Sequence, residues 1–106
     1  MATYTVTPAY ESFSADEGFK LAQSVLPEVG FTIWKERPLG WLLMANQQTT
    51  EGVINSTLSF RPGAETTMSL SLVSEDHSEQ ALKQAGERFL TLFEARVDSQ
   101  DEQGIE

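Results

Sequence analysis

The sequence predicts an α+β fold, a two-layer sandwich in which an antiparallel sheet of about five strands carries two helices on one face. Two observations predict it. Hydrophobic periodicity along the chain runs strand, helix, four strands, helix (order β-α-β-β-β-β-α). The four central segments are joined by short connections bearing Gly and Pro, which suit hairpins better than the long crossovers of a parallel sheet. A length of 106 residues, 40% of them apolar and 9% aromatic, allows one domain with an ordinary core.

Ala2 to Thr7 alternates Tyr4 and Val6 with Thr3, Thr5 and Thr7, the period of a half-buried strand, and Pro8 then removes a ladder donor. Ser14 followed three residues later by Glu17 forms a capping box, and Asp16 adds negative charge at the positive end of the dipole. A helix is therefore expected from Ala15. Its apolar face is Ala15, Phe19, Ala22, Val25 and Leu26, with Leu21 on the flank. Pro27 and the left-handed exit available at Gly30 predict an end near Leu26.

From Phe31 to Ser74 the period shortens to that of strands, giving two hairpins. In the second, Ile54, Leu58 and Phe60 must share a face with Met68, Leu70 and Leu72. Pairing Ile54 with Leu72 and Leu58 with Met68 implies an odd-numbered loop of about three residues around Gly63. The opposite face, Val53, Asn55, Thr57, Ser59, Thr67, Ser69, Ser71 and Val73, is mostly hydroxyl and amide and is expected to meet water or a polar partner. The edge of this hairpin carries few charges to guard it against pairing with an equivalent edge. In the first hairpin, pairing Glu36 with Trp41 across Pro38-Leu39 puts Phe31, Ile33, Leu42 and Met44 on one face. Thr32, Trp34, Trp41, Leu43 and Ala45 fall on the other, so both faces are apolar and two helices cannot cover both.

The last helix starts after Asp76 or Ser78, either of which can cap it, and runs to about Arg96. Leu82, Ala85, Phe89, Leu92 or Phe93, and Arg96 form its stripe, while Gly86 marks close packing against a strand. Residues 1–96 thus make a single α+β domain, and 97–106 are expected to be an acidic, disordered tail. In layout the chain is similar to small helix-grip domains, in which a C-terminal helix lies across a curved antiparallel sheet. No residue motif accompanies that likeness.

Seven Lys and Arg stand against sixteen Asp and Glu, a net charge of −9, which disfavours nucleic acid and anionic membrane surfaces as partners. Four of the acids, Asp98, Asp101, Glu102 and Glu106, lie in the last ten residues. The absence of cysteine removes disulfides, thiolate nucleophiles and zinc-thiolate sites. The N-terminal residues have no signal-peptide pattern and no window reaches the roughly 20 apolar residues of a membrane span. A cytoplasmic location is the expectation.

No catalytic, metal or cofactor constellation emerges. His77 is the single histidine, so histidine-pair metal sites and most triads lack partners, and its position in Glu75-Asp76-His77 suggests an exposed loop. Acids cluster before each helix (Glu11, Asp16 and Glu17; Glu75, Asp76 and Glu79), where the dipole alone accounts for them. Phosphate-binding glycine loops and nucleophile elbows are missing.

The tryptophans carry more information. Trp34 and Trp41, with Leu43 and Arg37 beside them, have the composition of an interaction surface, either for a homodimer or for a protein partner; the rival placements are the core and a ligand pocket. The expected function is accordingly a small acidic, non-catalytic interaction or accessory domain. The alternative is a carrier holding a small hydrophobic ligand between the C-terminal helix and the sheet, lined by Leu58, Met68, Leu70, Phe89 and Phe93.

Overall fold

A computed structural model describes residues 1–105, and the side chains of residues 1–97. The strands are β1 (Ala2–Val6), β2 (Ala9–Tyr10), β3 (Thr32–Arg37), β4 (Leu42–Gln48), β5 (Val53–Arg61) and β6 (Thr66–Ser74). The helices are α1 (Ala15–Glu28) and α2 (Glu79–Ile105). One antiparallel sheet runs in the order β1-β6-β5-β4-β3, and β2 also pairs with β6. There are six strands rather than about five because Pro8 divides the N-terminal strand in two, both parts lying along β6. The edge expected on the second hairpin is therefore not an edge, since β1 and β2 cover β6 and β4 covers β5.

Ser14 caps α1 as the sequence implies: its Oγ accepts from the Glu17 N–H, and the Glu17 carboxylate accepts from the Ser14 N–H at 3.0 Å. The helix runs two residues past Leu26, through Pro27. Its end is a Schellman motif, with the Phe31 N–H donating to Leu26 O and the Gly30 N–H to Pro27 O, and Gly30 supplies the positive φ of 96°. Phe31 then buries itself beside Leu26.

In the second hairpin Leu58 faces Leu70, Phe60 faces Met68 and Ser56 faces Leu72. This register differs by two residues from the expected pairing of Leu58 with Met68, so five residues rather than three separate the paired Arg61 and Thr67. The faces are unchanged by a two-residue shift, and the same side chains reach the core. The first hairpin is also longer than expected. Arg37 pairs with Leu42 and Glu36 with Leu43, which leaves a four-residue loop, 38–41, and the register slips between Ile33 and Lys35. That bulge at Trp34 breaks the shared tryptophan face, because one extra residue changes the side on which later positions lie.

Both helices lie on one side of the sheet, α1 over β3, β4 and β5, and α2 over β1 and β6. Ser78, rather than Asp76, caps α2, its Oγ accepting from the Ala81 N–H at 3.2 Å. Gly86 lets α2 close on β1, since a Cβ there would stand 2.8 Å from Tyr4 Cε2. Of the two candidates for the helix stripe, Phe93 is fully buried and Leu92 only partly so. The helical backbone continues to Ile105, beyond the expected end near Arg96. Val97 is buried, and the remainder of the expected tail, 98–106, lies outside the described side chains.

Candidate functional site

Alternating burial along β5 and β6 sorts the sheet into two faces. Even-numbered residues from Ile54 to Phe60 and from Thr66 to Ser74 turn to the helices, and the odd-numbered ones turn away. The register extends this outer face across the strands: Arg37, Leu42, Ser59 and Ser69 form one row, and Lys35, Met44, Thr57, Ser71 and Thr5 the next. Thr5 Oγ1 donates to Ser71 Oγ at 3.4 Å, a cross-strand contact that fixes both hydroxyls on this side. Neither helix covers this face. Thr5, Thr57 and Arg37 are exposed, and Leu42, Met44 and Ser71 half-buried.

At one end of the outer face stands the β3–β4 hairpin. Pro38 to Gly40 make a single 3₁₀ turn, followed by Trp41 in the left-handed region at φ 49° and ψ 46°. For a tryptophan this conformation costs on the order of 1–3 kcal/mol. It is held from three sides: the Trp41 N–H donates to Pro38 O, its carbonyl accepts from the Phe60 N–H at 3.0 Å, and its ring packs against the core. The consequence is a rigid loop that projects Leu39, 98% exposed, beside a shallow apolar hollow of about 470 Å³ lined by Arg37, Pro38, Leu39, Gly40 and Leu42.

The structure divides the interaction residues expected from sequence. Trp34 is 56% exposed and Arg37 is exposed, so both are available to a partner. Leu43, 1% exposed, belongs to the core, and Trp41 packs against that core, so neither forms the free surface expected of them. Leu39, exposed, and the half-buried Leu42 and Met44 complete the apolar group instead. Leu39 had a sequence signal in its place between Pro38 and Gly40 in a turn; Leu42 and Met44 face outward because β4 pairs with β5 opposite Ser59 and Thr57. The five residues expected to line a ligand pocket, Leu58, Met68, Leu70, Phe89 and Phe93, are all fully buried and pack together with Phe60 and Phe13.

His77 is buried at 9% exposure, contrary to the exposed loop position expected of it. Its Nε2 lies 2.7 Å from Thr49 Oγ1 and its Nδ1 2.9 Å from Ser74 Oγ. A serine beside a histidine has the outline of a nucleophile and base, but Ser74 is 2% exposed and its hydroxyl donates to Val53 O at 2.7 Å. Ser74 Oγ also accepts from the N–H groups of Asp76 and His77, and the Asp76 carboxylate accepts from the Val53 N–H. The cluster ties the β4–β5 turn to the segment before α2, and its hydrogen-bonding capacity is spent within the fold. At the other end of the helical layer, the Tyr10 hydroxyl donates to Glu94 Oε2 at 2.9 Å. Burial, reinforced by the bond to Glu94 and its negative charge, holds that phenol well above its ordinary range.

Among the described residues no group of three or more His, Asp or Glu side chains is arranged to hold a metal, and no helix is long and apolar enough to cross a membrane. No family model matches the chain, and no curated protein matches it. Among solved structures, the crystal structure of Ara h 8.0201 is similar, with a TM-score of 0.65 and 10% sequence identity over 92% of this chain and 97% of that one. The protein is thus an α+β domain of helix-grip-like layout.

Proposed function

We propose that this protein is a non-catalytic interaction domain that docks a protein partner on the uncovered face of its sheet and the adjoining β3–β4 hairpin. The observation that carries this reading is that one sheet face has both helices and the other has none, while Trp34 and Leu39 stand exposed at its edge. Exposed apolar side chains grouped on an uncovered face mark interaction sites, and tryptophan and arginine are the anchors such sites favour. Commitment of Ser74 and His77 to backbone and side-chain hydrogen bonds supports the absence of a catalytic role. The carrier reading places an apolar molecule between α2 and the sheet; the full burial of Leu58, Met68, Leu70, Phe89 and Phe93 favours the surface reading over it.

A photocrosslinking amino acid at Thr57, in the middle of the uncovered face, tests the proposal in the native host. It should give a discrete protein adduct that Trp34→Ala or Leu39→Ser reduces roughly tenfold, the loss expected when a docking anchor is truncated. The same group at Gln84, on the exposed side of α2, should give none. An adduct of twice the chain mass would make the partner a second copy. Adducts from Gln84 alone would put docking on the helices and overturn the reading.

A further inference from the structure

Resting on the docking surface proposed above, we infer that its partner is an acidic protein segment that also carries apolar side chains. The chain has seven Lys and Arg against sixteen Asp and Glu, yet its uncovered sheet face has the opposite sign. Lys35 pairs with Met44, Arg37 with Leu42 and Arg61 with Thr67, which puts all three cations on the side away from the helices. Among the described residues, no Asp or Glu occupies an outward strand position. Glu36, the one acid within a strand, turns to the helical side, where Gln23 Nε2 donates to its carboxylate at 2.9 Å.

The ion pairs found among the described residues, Lys20 with Asp16 and Arg96 with Glu28, leave these three cations uninvolved. The rest of the molecule keeps four cations for all sixteen acids, so its net charge opposes an acidic partner away from this face. Leu42 and Met44, beside Arg37 and Lys35 in the register, are the places where its apolar side chains pack. Nucleic acid fits less well, because three cations neutralise few phosphates and the remaining surface opposes the backbone.

The test is an NMR titration of the full ¹⁵N-labelled chain at low salt with three probes. These are a short peptide alternating Glu with Leu and Tyr, the same peptide with Lys in place of Glu, and a single-stranded oligonucleotide. The Glu peptide should bind most tightly and shift the amides of Lys35, Leu42, Met44 and Arg61. Raising the salt to about 0.5 M should weaken it, as screening shortens the reach of each charge. Combined Lys35→Glu, Arg37→Glu and Arg61→Glu substitutions should weaken it roughly tenfold and make the Lys peptide the tighter ligand. Arg37→Glu alone should show the same sign of effect if the triple variant fails to fold. Tighter binding of the Lys peptide or the oligonucleotide at the native face would overturn the acidic partner while leaving the docking surface standing. Glu-peptide shifts confined to the helices, or none at all, would also overturn it, and the Thr57 crosslink then decides whether the docking surface falls with it.

Discussion

Truncating Phe93 to alanine is expected to destabilise the fold by about 3–5 kcal/mol, the range for large aromatic side chains lost from a core that cannot collapse around the space. Phe93 is fully buried on α2 with its ring 5.5 Å from that of Phe89, 5.6 Å from Phe13, 5.9 Å from Tyr10 and 6.2 Å from Phe60. These partners come from α2, the segment before α1, β2 and β5, so the ring joins the helical layer to the sheet. Much of a small domain's stability, about 5–15 kcal/mol in all, rests on such a contact. Urea unfolding of the full chain measures the loss. A change below about 1 kcal/mol would mean that the space between α2 and the sheet is slack, which is the property a ligand carrier needs and a packed core lacks.

Replacing His77 by alanine should cost about 1–3 kcal/mol, chiefly by removing the buried imidazole that links Thr49 to Ser74. Ser74 keeps its bonds to Val53 O and to the N–H groups of residues 76 and 77 in the variant, so what is lost is the tie from Ser74 through the imidazole to Thr49. The β4–β5 turn should loosen with it, so amide exchange at Val53 should accelerate more than at Leu70 in the middle of β6. An unchanged unfolding midpoint would show that water replaces the imidazole and that the cluster is not a structural tie.

What the sequence made legible follows the range of the interactions involved. Ser14 and Glu17 are three residues apart, and the capping box they imply is present to the residue. The alternation from Val53 to Val73 separated a core face from a hydroxyl face because parity is a local property. The offset between β5 and β6 was not legible, since a shift of two residues preserves both faces. The bulge at Trp34 has no periodic signature, and it parts Trp34 from Trp41, while Leu43 goes to the core because it stands opposite Leu58 in β5. His77 read as an exposed loop residue because one of its partners, Thr49, lies 28 positions away. The cationic character of the outer face was equally hidden: Lys35, Arg37 and Arg61 come to share one face only through the pairing of β3, β4 and β5.

Native mass spectrometry of freshly purified protein tests most directly whether this domain works through its surface rather than its interior. A packed core predicts that the chain carries no stoichiometric small molecule, whether it flies as one copy, as two, or with a protein partner. A reproducible apolar adduct that Phe89→Ala releases, with the fold retained, would contradict this and locate the function between α2 and the sheet.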